Sequence, residues 1–195
     1  MNHRMLSLAV AATLAAMGTQ MASADGGKSS FSTNLTGYQE TQLTLNTPGS
    51  GEFATKISKN GSQIDYVLTY RDLPTNVTQA HIHFGRPALT GGIVLFLCSN
   101  LGNGPAGTQA CPQAPVGGPT ATVTGILTAA NVIAVPGQGI DAGATGFAEI
   151  VAAMRNGAAY ANVHTVQRPT GEIRGALGKP HDHGSDDEND NDNDN

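Results

Sequence analysis

The sequence predicts an all-β domain: an antiparallel two-sheet sandwich or Greek-key barrel of about eight strands, with one short amphipathic helix. Three observations lead to this prediction. The 195-residue chain contains 25 glycines and many Thr and Val residues, which favour turns and strands over helices. Short runs of alternating apolar and polar residues recur between clusters of Gly, Pro, Asn and Asp. The sequence does not predict the helices that a parallel β/α fold needs between its strands.

The two ends of the chain differ in composition from the part between them. Residues 1–24 combine a basic residue, an apolar run and an Ala-Ser-Ala exit, which is typical of a secretory signal peptide. The apolar run is shorter than the roughly 20 residues that a membrane span needs. Residues 180–195 contain seven acidic and no basic residues, so we predict a disordered acidic tail over 179–195. A linker over 25–30 and a β domain over 31–178 lie between these ends.

Charge and composition exclude some classes of function. Residues 25–179 contain eight acidic and nine basic residues and no Trp, so the predicted domain is close to neutral. A nucleic-acid-binding domain normally carries a basic face, and none is indicated here. We therefore predict no nucleic-acid partner. From the signal-peptide pattern we predict a secreted or periplasmic protein with no membrane span.

Eight predicted strands follow one another along the chain, each bounded by turn residues. They cover residues 31–38, 52–59, 62–70, 79–85, 93–98, 121–127, 160–165 and 172–177. The second and third strands flank Asn60-Gly61. An Asn-Gly pair between two alternating runs predicts a hairpin with a type I′ turn, in which both residues have positive φ.

The later elements follow from local patterns. Residues 93–98 are apolar on both faces, which predicts a buried, central strand. Thr128 is a suitable N-cap for a short helix over 128–132. Apolar residues at i, i+3, i+4 and i+7 then predict an amphipathic helix that ends at Asn156-Gly157. These four residues are Phe147, Ile150, Val151 and Met154.

The chain has two cysteines, Cys98 and Cys111. In an exported protein such a pair is expected to form a disulfide. A bridge across a loop of this size stabilises the fold by roughly 3 kcal/mol in the chain-entropy model. A cysteine metal site is the alternative, but the close pairing typical of such sites is missing.

Three histidines of the predicted domain lie on strands. In Ala80-His81-Ile82-His83-Phe84 the alternation of a strand puts His81 and His83 on one face and the apolar residues on the other. In Asn162-Val163-His164 the same alternation points His164 away from the core. The predicted function depends on whether these three imidazoles meet.

Several motifs together resemble the CHRD (chordin) domain family. They are Ala80-His81-Ile82-His83-Phe84-Gly85, Ile93-Val94-Leu95-Phe96-Leu97, Tyr160-Ala161-Asn162-Val163-His164-Thr165, Gly171-Glu172-Ile173-Arg174-Gly175 and the opening Leu35-Thr36-Gly37-Tyr38-Gln39-Glu40. The resemblance extends from about Phe31 to Leu177. The family often has prolines directly after the opening Glu, whereas Thr41 and Gln42 follow it here. The resemblance implies an all-β, immunoglobulin-like or superoxide-dismutase-like module that occurs singly in bacterial exported proteins.

The functional hypothesis is a mononuclear metal site made by His81, His83 and His164. Three imidazoles with an open position suit copper or zinc. Asn162 and Glu172 are candidates to accept an imidazole N–H beside the site. The alternative is structural: the histidines hydrogen-bond within a polar sheet face, and Arg174 forms an ion pair with Glu172.

The preferred interpretation is an exported binding or structural module, with no catalytic residues assigned and with the mononuclear metal site as an additional hypothesis. Its partner would be an extracellular protein or polysaccharide that the sequence does not identify. The alternative function is a copper-dependent redox protein resembling a superoxide dismutase, with three His ligands. The family of copper–zinc dismutases uses further histidines, including a bridging one, and the predicted domain has none to spare.

Overall fold

The computed structural model describes residues 28–178. The predicted signal peptide and acidic tail lie outside the described residues. The strands β1 to β8 are, in chain order, Ser30–Thr36, Ser50–Ile57, Ile64–Arg71, Val77–Phe84, Gly92–Ser99, Ala121–Leu127, Ala159–Thr165 and Ile173–Leu177. The helix α1 spans Gly143–Arg155, and three single-turn 3-10 helices span Gly37–Gln39, Ala129–Asn131 and Pro136–Gln138.

All eight strands belong to one antiparallel sheet in the order β5-β4-β7-β8-β1-β2-β3-β6. The sheet is nearly closed into a barrel, because the two end strands approach each other. The Tyr66 hydroxyl on β3 donates to the carbonyl of Leu97 on β5 at 2.7 Å. Gln109 connects the end strands: its carbonyl accepts from Ser99 N and its side-chain amide donates to Thr124 O, both at 2.9 Å. The predicted fold class is confirmed, and of its two architectures the barrel is the one that forms.

Helix α1 packs its predicted apolar face on the core. Phe147, Ile150, Val151 and Met154 are all buried in the same apolar cluster as the inward residues of the strands. The helix ends where predicted, since Asn156 is its C-cap and Gly157 follows with a φ of 64°. The short helix after Thr128 is confirmed as a 3-10 turn over Ala129–Asn131, with Thr128 as its N-cap.

The hairpin between β2 and β3 is confirmed, but the predicted turn type is wrong. Gly61 has a φ of 69°, whereas Asn60 is not among the residues with positive φ. The loop is longer than two residues, because Ser58 and Gln63 still form a backbone hydrogen bond across it. The Asn60 side chain instead accepts from the hydroxyls of Ser58 and Ser62, both at 2.8 Å. The Asn therefore stabilises the turn through its side chain.

The prediction that β5 is a central strand is also wrong. Its residues are buried on both faces from Val94 onward, but it lies at one end of the strand order. The following chain covers its free edge: Ile133 N donates to Val94 O at 2.9 Å, and Val132 bridges Leu95. Burial by an irregular segment leaves the same apolar signature as burial by a neighbouring strand. A disulfide joins Cys98 to Cys111, as predicted.

Candidate metal centre

Strands β4 and β7 are antiparallel neighbours, and their pairing brings the three histidines together. His81 lies opposite Asn162, and Gln79 lies opposite His164. The residues between them, such as Ala80 and Ile82, belong to the apolar core. The histidines therefore share the outer face of the barrel, as the alternation predicted.

This outer face is covered, which the alternation did not predict. The connections that follow β1, β4 and β7 cross over it, and only 0%, 6% and 5% of His81, His83 and His164 remains exposed. The ring of Phe96, which is opposite His81 on β5, packs edge-on against that imidazole with centroids 4.4 Å apart. The three histidines thus lie in a second, partly aromatic interior outside the barrel core.

The imidazoles are in mutual contact. Nδ1 of His81 lies 3.2 Å from Nε2 of His164, although the two residues are 83 positions apart in the chain. The ring of His83 lies 5.4 Å from that of His81 and 5.8 Å from that of His164, between centroids. One nitrogen from each of the three rings falls within 4.8 Å of the other two.

Backbone carbonyls orient two of the rings. Nδ1 of His83 lies 3.0 Å from Gly91 O, and Nδ1 of His164 lies 3.0 Å from Pro169 O. A carbonyl oxygen only accepts, so Nδ1 carries the proton in both neutral rings and Nε2 presents a lone pair. His81 donates from Nδ1 to Nε2 of His164, so its own Nε2 also presents a lone pair.

Two of these buried nitrogen atoms have no hydrogen-bond partner among residues 28–178. They are Nε2 of His81 and Nε2 of His83. Leaving a buried polar atom unpaired costs about 1–3 kcal/mol, and a bound cation would remove this cost by accepting the lone pair. The pattern leaves lone pairs on His81 and His83 for a cation, whereas Nε2 of His164 accepts from Nδ1 of His81.

Burial keeps all three imidazoles neutral. It lowers the pKa of His81 to about 2, with a smaller contribution from the neighbouring His164 and His83. It lowers the pKa of His83 to about 4, against the opposing effect of the hydrogen bond to Gly91. It also lowers the pKa of His164 to about 4, against the hydrogen bond to Pro169. A metal binds the neutral form of imidazole, so these rings need not lose a proton first.

An aromatic stack adjoins the cluster. The ring of Tyr160 on β7 lies parallel to that of His83, with centroids 4.7 Å apart and planes 3° apart. The guanidinium of Arg174 on β8 lies over the Tyr160 ring at 3.4 Å. Gly91 holds this stack together, since its N–H donates to the Tyr160 hydroxyl and its carbonyl binds His83.

The polar residues predicted beside the site have other partners. Asn162 donates to the Glu40 carboxylate at 2.7 Å and to Ile173 O at 2.8 Å. Glu172 accepts from the hydroxyls of Thr47 and Thr165 at 2.5 and 2.8 Å. Among residues 28–178 the imidazole Nδ1 atoms of His83 and His164 are bonded to backbone carbonyls instead.

Arg174 does not form the ion pair with Glu172 that is part of the structural alternative. The only ion pair within the described part of the chain joins Arg71 to Asp72 on the surface. The Arg174 side chain instead donates to Thr41 Oγ1 and to the carbonyls of Arg86 and Leu89.

Several site residues were not singled out from the sequence. Tyr160 was predictable from the sequence, because alternation places it on the outward face of β7 with Asn162 and His164. Glu40, Gly91 and Pro169 carry no local signal, since they reach the cluster through connections between strands. Burial raises the pKa of Glu40 to about 7, while Asn162 and Arg174 oppose this shift.

The residues present suit a first-row transition metal. Imidazole nitrogen binds copper and zinc at about 2.0–2.1 Å, which places two ligands of a tetrahedral ion about 3.3 Å apart. Nδ1 of His81 and Nε2 of His164 are 3.2 Å apart, and His81 would carry its proton on Nε2 for both of these atoms to bind one ion. The structure thus defines a class of protein: an antiparallel β-barrel domain with a buried three-histidine cluster on its outer face.

The family model that matches this chain is the CHRD domain, over residues 31–177. The chain belongs to the CHRD domain family, and this supports a binding or structural module. Neither the curated proteins nor the solved structures contain a match to it. Within residues 28–178, no helix combines the length and the apolar character needed to cross a bilayer.

Proposed function

We propose that this chain is an exported CHRD-domain binding module that holds one copper or zinc ion through His81, His83 and His164. The observation that carries the proposal is the convergence of three neutral imidazoles, two of which have a buried Nε2 without a hydrogen-bond partner in the described part of the chain. Such nitrogen atoms are ready-made ligands, and the carbonyls of Gly91 and Pro169 fix the direction of two rings.

Export is supported by the residues that precede the domain and by the disulfide. Residues 1–24 have the pattern of a secretory signal, and disulfides persist mainly outside the cytoplasm. We propose a secreted or periplasmic location on these grounds. The partner of the module, an extracellular protein or polysaccharide, remains a prediction from the sequence.

The enclosure of the cluster favours a binding module over the copper-dependent redox alternative. No imidazole is more than 6% exposed, so a substrate has little access to a bound ion. If the chain is a copper-dependent redox protein, its copper-loaded form should consume superoxide in a catalytic assay. If the chain is a binding module, it should hold the ion without turnover.

The test is elemental analysis of the purified protein after incubation with copper or zinc and extensive dialysis. We expect one ion per chain, and we expect the His83→Ala variant to retain none. The matched control is the double variant His181→Ala with His183→Ala, which removes the tail histidines and should still retain one ion. Loss of the ion in this tail variant, or no retention by the native chain, would contradict the proposal.

A further inference from the structure

The histidine cluster contains no anionic ligand. The group of potential ligands that converges among the described residues consists of three histidines alone. Two neighbouring carboxylates have other partners: Glu172 accepts from Thr47 and Thr165, and Glu40 accepts from Asn162. An ion bound by three neutral imidazoles keeps its full charge.

The surroundings make a high charge costly. The cluster is buried against the rings of Phe96 and Tyr160, neither of which belongs to the main apolar core. The free energy of moving an ion from water into such an environment is unfavourable and grows steeply with its charge. A monovalent ion is therefore tolerated better here than a divalent one.

A positive charge lies close to the cluster. Arg174 lies over the face of Tyr160, which is stacked on His83, so a guanidinium cation is one aromatic ring away from a ligand. Arginine remains protonated in proteins. Its repulsion acts more strongly on a divalent ion than on a monovalent one.

We propose that this site selects Cu(I) over Cu(II) and Zn(II), and that the stacked Tyr160 and Arg174 supply part of the selectivity. Cu(I) combines a single positive charge with an affinity for imidazole nitrogen. The inference rests on the proposed function, because it specifies the ion that the three histidines hold. Arg174 is a positioning and charge-setting residue here and does not contact the ion.

The first test uses the full chain with His3→Ala, His181→Ala and His183→Ala, so that only the three cluster histidines remain. Anaerobic competition with bicinchoninate measures the Cu(I) affinity, and suitable chelators measure the affinities for Cu(II) and Zn(II). We expect one Cu(I) per chain, bound on the order of 100-fold or more tightly than Zn(II), because the buried site disfavours the divalent charge.

The outcomes separate this inference from the proposed function. One Zn(II) or Cu(II) per chain, bound as tightly as Cu(I) and lost in His83→Ala, would overturn the Cu(I) assignment and leave the metal site intact. Failure to bind any of the three ions would overturn both.

The second test changes the charge of the stack. A unit charge at roughly 10 Å, in an effective dielectric of about 20, alters the relative affinity for ions that differ by one charge by on the order of tenfold. We expect Arg174→Gln to lower the ratio of Cu(I) to Cu(II) affinity by about tenfold, which is about 59 mV in reduction potential. Arg174→Lys keeps the charge and should retain most of the ratio, and Arg71→Gln on the surface is the matched control.

If Arg174→Gln does not fold, a second variant that removes a negative charge tests the same electrostatic effect. Glu40→Gln preserves an acceptor for Asn162 and removes a neighbouring negative charge. At pH 8, where the native carboxyl is ionised, this variant should raise the ratio of Cu(I) to Cu(II) affinity. A native ratio in Glu40→Gln, with circular dichroism showing folded protein, would overturn the role of these neighbouring charges in the selectivity, as would a native ratio in folded Arg174→Gln.

Discussion

Strands β3 and β7 are both alternating strands of the same barrel, yet their outward faces meet different environments. On β3 the inward residues are buried while Asp65, Val67 and Arg71 are exposed. On β7 all seven residues are buried. The connections after β1, β4 and β7 cover the outer face of β7, whereas nothing comparable covers β3 in the described part of the chain. The same sequence pattern thus marks a solvated face in one place and a desolvated polar site in the other.

This difference has energetic consequences for polar side chains. An outward polar residue on β3 exchanges hydrogen bonds with water, whereas one on β7 must find a partner within the protein. Those of β7 do: Asn162 donates to the Glu40 carboxylate and to Ile173 O, and Nδ1 of His164 donates to Pro169 O. The exceptions are Nε2 of the two imidazoles of β4, and the comparison therefore marks the histidines as candidate ligands on the covered face.

The largest expected effect comes from the metal. An ion that binds only the folded chain raises its free energy of unfolding by about 4.1 kcal/mol at a free concentration of 1,000 times the dissociation constant. Urea unfolding under anaerobic conditions, with and without buffered copper, measures this gain. We expect His164→Ala to abolish it, whereas Val67→Thr on the solvated face should preserve it. A full gain in His164→Ala would mean that copper stabilises the fold elsewhere.

A side chain at Gly91 should disrupt the covered face by steric clash. A Cβ on this residue would lie 1.7 Å from Phe84 O, and the backbone of Gly91 contacts both His83 and Tyr160. We expect Gly91→Ala to lower the free energy of unfolding of the metal-free protein by about 3 kcal/mol or more. The control is Gly137→Ala, where a Cβ meets nothing within 4 Å and φ is not positive; it should be nearly neutral. Similar losses in the two variants would contradict this steric role.

The pH dependence of stability should follow the buried histidines. Their pKa values fall to about 2, 4 and 4 in the folded chain, so near pH 5.5 the unfolded chain binds about three more protons at these sites. Glu40 acts in the opposite direction, because its raised pKa of about 7 lets the folded chain keep one proton that the unfolded chain releases. The net excess is about two protons bound by the unfolded chain.

We therefore expect the free energy of unfolding of the metal-free protein to decrease as the pH falls from about 6.5 to 5, by roughly 2–3 kcal/mol per pH unit. Urea unfolding in the presence of a chelator at several pH values measures this slope. Glu40→Gln removes the opposing contribution and should steepen the slope by about 1.4 kcal/mol per pH unit. A flat profile across this range would show that the imidazoles are not desolvated.

The smallest expected effect concerns the hydrogen bonds of the covered face. Asn162→Ala removes the donor that binds Ile173 O and the Glu40 carboxylate, so we expect it to lower the free energy of unfolding by about 1–3 kcal/mol. Val67→Thr, on the outward face of β3, should stay within about 0.5 kcal/mol of the native chain. Chemical unfolding of both variants under identical conditions compares the two faces directly. Equal costs would mean that the faces do not differ in solvation.

Much of the fold was predictable because it follows from local patterns. Each of the eight predicted strands overlaps an observed one, and the spacing of Phe147, Ile150, Val151 and Met154 identified the helix. The Asn60-Gly61 pair identified the hairpin but not its turn, because the Asn side chain can stabilise a turn without adopting positive φ. The position of β5 in the sheet was not predictable, since apolar composition reports burial and not which segment causes it.

The sequence by itself determined that His81 and His83 share one strand face, that His164 points outward on another strand, and that two cysteines form a disulfide. The positions of the histidines follow from the alternation of side chains along a strand, and the disulfide follows from the presence of two cysteines in the chain. Only the tertiary structure decided that the outward face is buried, that His81 and His164 lie 3.2 Å apart, and that Arg174 stacks on Tyr160 instead of pairing with Glu172. The physical reason is that alternation is a property of neighbouring residues, whereas desolvation depends on segments that are distant in the chain.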